Sequence, residues 1–295
     1  MRRFAYETVD VFTTARFGGN PLAVFTDARG LSDTEMQSLA AEMNYSETTF
    51  VLPPDDPANT ARVRIFTRSR EMPFAGHPNV GTAYVLARHG RDSDGVLRFE
   101  EIAGLVEVRI SADAAGEVTG ATIAAPQPLS VGIELPAEAV AACASVDPGA
   151  IIVARHRPVR ASVGVHFVLA EIEPDALTRA APDLMAFRAL RDAEPGLEGR
   201  LSIFFYSRDG AAIRGRMFSP LGGTWEDPAT GSASATIAAL QLHLDGGDSA
   251  TFSMTQGVEM GRPSLLDLKA WRGPGGIRAT VGGSCVPVFR GEALL

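Results

Sequence analysis

Only two of the 295 residues are cysteines, Cys143 and Cys285, and they form neither a C-x-x-C pair nor a metal-ligand spacing. That excludes a disulfide scaffold and a cysteine-built zinc site, and it points to a reduced, intracellular chain. Cations are also outnumbered: 27 Lys and Arg stand against 35 Asp and Glu, a net charge of −8. Nucleic acid and anionic membranes both want clustered Lys and Arg, so neither partner is expected. No apolar run approaches the roughly 18 residues of a membrane span. Met1-Arg2-Arg3 is basic, but Glu7 and Asp10 interrupt the stretch that follows, so no signal peptide is read and the expected compartment is the cytoplasm. The histidines His89, His156, His166 and His243 lack metal-ligand spacing. No G-x-G-x-x-G or P-loop pattern occurs, and no G-x-S-x-G elbow surrounds Ser232 or Ser234, which removes a serine hydrolase from consideration. Neither a metal nor a cofactor is expected.

What the chain does have is a signature written twice, about 150 residues apart. Arg62-Val63-Arg64-Ile65-Phe66-Thr67 leads into Glu71-Met72-Pro73-Phe74-Ala75-Gly76-His77. Arg214-Gly215-Arg216-Met217-Phe218-Ser219 leads into Glu226-Asp227-Pro228-Ala229-Thr230-Gly231-Ser232. An R-x-R strand thus runs into E-x-P-x-x-G and then into small and apolar residues. Such a repeat implies two equivalent domains, with a site built from both copies between them. The length fits two domains of roughly 130–150 residues, and 45% hydrophobic residues supply two cores. Pro126-Gln127-Pro128 removes backbone donors and marks the boundary. The halves are then 1–125 and 126–281, with 282–295 returning to the first.

Alternation and turn signals place strands at Tyr6–Phe12 and Leu22–Phe25, around the turn cluster Gly18-Gly19-Asn20-Pro21. Ser32 and Glu35 form a capping box for a helix that buries Met36, Leu39, Ala40 and Met43. Strands follow at Glu47–Leu52 and Arg62–Thr67, then a helix from Gly76 to about Arg88. Leu97–Glu101, Val106–Ile110 and Val118–Ala124 complete the half. The second half reads as a strand Val163–Ala170, a helix Pro182–Arg191, strands Leu201–Ser207 and Ala212–Ser219, a helix Gly231–Leu244, and strands near Ala250–Thr255 and Ile277–Val281. Small residues from Ser232 to Ala239 make that helix thin, as a helix enclosed by a curved sheet must be. The fold class expected is α+β, with two pseudo-equivalent domains, each a curved, mostly antiparallel sheet around a central helix. Arg62 and Arg64 share one strand face, as do Arg214 and Arg216; the simplest reading is a solvated or interface face. Glu71 and Glu226 read as stabilisers of the turn or helix start.

Chemistry concentrates where the repeat enters each central helix. The first amides of a helix lack internal partners and carry partial positive charge, so Gly76-His77 and Gly231-Ser232 are candidate carboxylate-binding segments. Near them the sequence offers three groups that handle protons: Glu47, His77 and Asp227. Glu47 heads an otherwise apolar strand, where burial would raise its pKa towards neutrality. The corresponding region of the second half, around Ser202, is neutral, which favours one main acid/base over a matched pair. Bland alternatives stand beside each: a strand-edge carboxylate for Glu47, a loop hydrogen bond for His77, and a carboxylate serving the helix dipole for Asp227.

Five ordered motifs make the chain recognisable: Asp10-Val11-Phe12-Thr13, Gly19-Asn20-Pro21-Leu22-Ala23-Val24, Ser46-Glu47-Thr48-Thr49-Phe50-Val51, Phe74-Ala75-Gly76-His77-Pro78 and Glu226-Asp227-Pro228-Ala229-Thr230-Gly231-Ser232-Ala233. Together they resemble the phenazine-biosynthesis PhzF-like family over nearly the whole chain. The resemblance implies a diaminopimelate-epimerase-like fold and an isomerase of the kind that acts on trans-2,3-dihydro-3-hydroxyanthranilate, moving a proton from C3 to C1. It also implies a homodimer. By position Glu47 matches the proton-shuttling glutamate and His77 and Asp227 the supporting polar groups. Gly76, Gly231 and Ser232 match the carboxylate-binding segment. Asn79 and Trp225 depart from the family's usual residues, which bears on substrate more than on chemistry. An epimerase with two opposed bases is a second reading, although neither helix start holds a cysteine. A non-catalytic small-molecule-binding or interaction protein is a third.

Overall fold

Strands outweigh helices in this chain, and the computed structural model, which describes Met1–Leu295, is an α+β protein of many strands and few helices. It divides into two units, Met1–Ala124 with Gly282–Leu295, and Ala125–Val281. No helix is long and apolar enough to cross a membrane.

The first unit contains β1 (Arg3–Val11), β2 (Asn20–Phe25), α1 (Asp33–Met43), β3 (Glu47–Leu52), β4 (Ala61–Thr67), β5 (Glu71–Met72), α2 (Gly76–Arg88), β6 (Val96–Glu101), β7 (Gly104–Ala112) and β8 (Val118–Ala124). Pairing runs β1–β2–β3–β4–β6–β7–β8. The chain's final strand, Gly276–Leu294, pairs in its later part with both β8 and β1 and closes the ring at eight strands. Closure removes the free sheet edges. Helix α2 runs inside, with every residue from Gly76 to Ala87 buried. Its tight fit depends on Gly81, where a Cβ would stand 2.6 Å from Leu22 Cδ2 and 2.8 Å from Val11 Cγ2. Helix α1 lies outside the barrel. Ser32 and Glu35 form the expected capping box, and Met36, Leu39 and Ala40 pack against Phe4, Phe25, Phe50 and Phe66.

The second unit repeats the plan with β9 (Ser130–Glu134), α3 (Ala137–Cys143), β10 (Val159–Ser162), β11 (His166–Glu171), α4 (Pro174–Arg179), α5 (Leu184–Ala193), β12 (Ile203–Asp209), β13 (Ala212–Ser219), β14 (Thr224–Asp227), α6 (Gly231–Asp245), β15 (Ser249–Gln256), β16 (Ser264–Gly273) and the start of β17 (Gly276–Leu294). The order is β9–β10–β11–β12–β13–β15–β16–β17. The segment before β9 returns to β17: Ala125 N–H donates to the Ala279 carbonyl and Leu129 N–H to that of Ile277. Helix α6 is buried from Ala233 to Leu242.

The expected strand Val163–Ala170 is instead a hairpin turn followed by β11. Gly164 takes φ +144°, which breaks the extended run between β10 and β11. Strand β9, Ser130-Val131-Gly132-Ile133-Glu134, is not read from the sequence: it is five residues long with a glycine at its centre, and all five residues are exposed. β16 does alternate, burying Leu266, Leu268 and Ala270, and it pairs with β15 along its length.

Candidate active site

The duplicated residues first explain how each internal helix is held. Arg64 donates Nε and Nη2 to the two Glu71 carboxylate oxygens, both at 2.7 Å. Arg216 does the same to Glu226 at 2.8 and 2.9 Å. Each pair locks β5 or β14, the last residues before the internal helix, onto the R-x-R strand. Of the two faces expected for these arginines, solvated or interface, the solvated one does not hold for Arg64 and Arg216: their side chains are 14% and 7% exposed. Arg216 also donates to the carbonyls of Leu177 and Ala180. Glu71 and Glu226 are anchors of the turn, as their position before the helix implies.

In the first unit Glu47 is the first residue of β3, opposite Leu22 of β2 and Thr67 of β4. Its side chain is half-buried, and Oε2 lies 3.6 Å from His77 Nδ1. Asn20 Nδ2 is 3.5 Å from the same nitrogen, and Ser46 Oγ donates to Asn20 Oδ1 at 3.0 Å. Burial pushes the His77 pKa down to about 3, against the opposing effect of its hydrogen bond to the Pro21 backbone. The imidazole is therefore neutral at pH 7, and its approach to Glu47 is not an ion pair. Nε2 of His77 is buried without a partner. A buried, unpaired ring nitrogen is costly unless a bound group meets it. Gly76, which precedes His77, is buried at the start of α2.

In the second unit Asp227 ends β14 and is buried. Thr230 Oγ1 donates to Asp227 Oδ2 at 2.6 Å. Gln256 ties this loop from within: Nε2 donates to the Asp227 carbonyl at 2.7 Å and to Thr230 Oγ1 at 3.0 Å, and Oε1 accepts from Thr230 N–H at 3.0 Å. Ser264 Oγ donates to the Pro228 carbonyl at 2.8 Å. Gly231 and Ser232 open α6, Gly231 buried and Ser232 half-buried.

α1 and α5 start with side-chain caps from Ser32 and Asp183, whereas α2 and α6 have no side-chain cap at Ala75 or Thr230, and neither do the short α3 and α4. The internal helices thus lack a side-chain acceptor where an anion would be favoured. The Glu47 position has no carboxylate counterpart in the second unit. Thr67 opposite Glu47 corresponds in the repeat to Ser219, and Ser219 Oγ bonds Ser202 Oγ at 2.7 Å. The cysteines stand away from both helix starts, and burial pushes each thiol up to about 12, leaving both protonated at neutral pH.

The structure gathers Glu47, His77 and Gly76 within the first unit and Asp227, Gly231 and Ser232 within the second. A sequence reading misses the supporting residues. Asn20 and Ser46 sit inside conspicuous motifs yet carry no charge to draw attention. Gln256 lies 26 residues from Thr230, a separation that only the fold closes.

Residues 9–291 match the family described as Phenazine biosynthesis-like protein. An uncharacterized isomerase of Mesorhizobium japonicum is 37% identical, over 98% of each chain. A trans-2,3-dihydro-3-hydroxyanthranilate isomerase of Pseudomonas chlororaphis is 36% identical, over 98% of this chain and 99% of its own. Among solved structures, a PhzF-family phenazine biosynthesis protein of Bacillus anthracis superposes with a TM-score of 0.89 at 26% identity, over the full length of both.

Proposed function

The chain belongs to the phenazine biosynthesis-like family and is an isomerase, and from that premise we propose that it shifts a proton on a small carboxylate-bearing substrate resembling trans-2,3-dihydro-3-hydroxyanthranilate. The observation that carries this reading is Glu47, half-buried and 3.6 Å from a neutral His77, at the uncapped start of α2. Glu47 takes a proton from one carbon and returns it to another. His77 Nε2, which has no partner within the protein, meets a polar group of the substrate. Asp227, held by Thr230, acts as the supporting polar group of the second unit. The start of α2, at Gly76, and the start of α6, at Gly231 and Ser232, each offer backbone amides suited to a carboxylate and to charge that develops beside it. Proton leaves and proton returns, so atoms and electrons balance without a redox partner, and the proposed reaction needs no cofactor. A two-thiol epimerisation is disfavoured because neither Cys143 nor Cys285 is ionised or placed at a helix start. The reading also carries a homodimer, on the strength of the family resemblance, and a cytoplasmic location, on the strength of the cysteine usage and the N-terminal sequence.

The test is an NMR time course in D2O with trans-2,3-dihydro-3-hydroxyanthranilate, wild type beside Glu47→Gln. Isomerisation or deuterium uptake is expected from the wild type alone, with ligand binding retained by the variant. Turnover by Glu47→Gln at the wild-type rate refutes the assignment.

A further inference from the structure

Glu101, the last residue of β6, has two buried carboxylate oxygens with no hydrogen-bond partner. Asn79, in the first turn of α2, lies beside it and presents an equally unpartnered, buried Oδ1. The other end of the Asn79 amide is committed: Nδ2 donates to the carbonyl of Ala75, the N-cap residue, at 3.0 Å. Because a carbonyl only accepts, that bond settles which end of the amide is nitrogen.

The internal repeat identifies what Glu101 stands in for. On the β4–β6 pair, Arg62 is opposite Glu100. On the β13–β15 pair, Arg214 is opposite Thr255 and Gly215 opposite Gln256. Arg62 and Arg214 are equivalent in the repeat, so Glu100 matches Thr255 and Glu101 matches Gln256. Gln256 is the residue whose amide donates and accepts to hold the loop leading into α6. A protonated carboxyl has the same shape and the same pair of functions, one donor and one acceptor, while a carboxylate has no donor.

We propose that Glu101 is the first unit's counterpart of Gln256, a positioning residue that works as a neutral acid, donating a hydrogen bond from its O–H to Asn79 Oδ1 and so holding the lead-in to α2. Burial raises its pKa to about 8, with the Asn79 amide acting in the opposite sense and no charged side chain bearing on it. The nearby β6–β7 turn contributes only backbone, Ala103 N–H donating to the Pro73 carbonyl. Keeping Glu101 neutral has a consequence for the site. An ionised carboxylate beside the first turn of α2 would compete with an anionic ligand for the same positive helix end. The ligand part of this inference rests on the function proposed above; the protonation part does not.

Two measurements test it on the intact chain. Infrared difference spectra, wild type minus Glu101→Gln, should show the carbonyl stretch of a protonated carboxyl at pH 7 that fades as the pH rises through about 8. Its absence at pH 7 overturns the proposal. Anthranilate then serves as the carboxylate probe by calorimetry. At pH 7 Glu101→Gln should bind it within about twofold of the wild type, and Glu101→Leu about tenfold more weakly. At pH 9 the wild type should weaken and Glu101→Gln should not. A Glu101→Gln variant that folds but loses binding at pH 7 overturns the positioning role. If anthranilate binds neither protein, the carboxylate-site reading fails, and the infrared band still decides the state of Glu101.

Discussion

Replacing Glu101 by Gln should stabilise the protein, and by an amount that depends on pH in a way the structure dictates. The Glu101 pKa rises from 4.5 to about 8 on folding, mainly through burial. Below pH 4.5 both folded and unfolded chains hold the proton and the group contributes nothing. Between 4.5 and about 8 the folded protein keeps a proton that the unfolded chain has released, so stability falls as pH rises across this window. Above about 8 the loss is complete and flat. At about 1.4 kcal/mol per pH unit the interval amounts to roughly 5 kcal/mol as an upper bound. Gln has the same shape and does not titrate, so its variant escapes the loss. Urea unfolding of both proteins at pH 4.5, 7 and 9 reads the difference directly. The two midpoints should be close at pH 4.5 and diverge progressively, with the variant more stable by several kcal/mol at pH 9. Parallel stability curves across this range would refute the argument, because they would mean that Glu101 ionises equally in both states.

Arg216→Met removes the bidentate partner of Glu226 and a donor to the Leu177 and Ala180 carbonyls, leaving a largely buried carboxylate without its guanidinium. It should cost about 3–5 kcal/mol, and the double variant Arg216→Met/Glu226→Met should recover part of that in chemical denaturation. His77 should remain neutral between pH 5 and 8 in nitrogen-15 NMR of the imidazole, since its pKa lies at about 3. Its folded value sits below the ordinary 6.5, so it withdraws stability only as pH falls from about 6.5 towards 3; a titration midpoint near 6.5 would contradict its burial.

Local signals carried far in this chain. The Ser32–Glu35 capping box, the head of β3 at Glu47 and the span of α2 all stand where the sequence places them. Those features depend on neighbours three or four residues away, or on a change from alternation to small-residue helix. Glu47 and His77 could be singled out because a charged or titratable group in an apolar setting is conspicuous. The misread segments share another cause. β9 is five residues long with a glycine at its centre, and the Val163–Ala170 run conceals a turn that only the φ of Gly164 reveals. For Arg64 and Arg216 a sequence reading leaves a solvated and an interface face both open, because alternation says that they share a face with Arg62 and Arg214, not what covers it.

The sequence by itself determined the duplication, the α+β class and the thin internal helices, and it singled out candidate proton-moving residues, because each is a matter of residue type and near spacing. Tertiary structure decided the rest: the closure of the first eight-stranded ring by residues 282–294, the neutrality of His77, and the equivalence of Glu101 with Gln256. Those are matters of burial and register. Burial sets whether an imidazole or a carboxyl can hold a charge, and register brings together side chains that the chain itself keeps far apart.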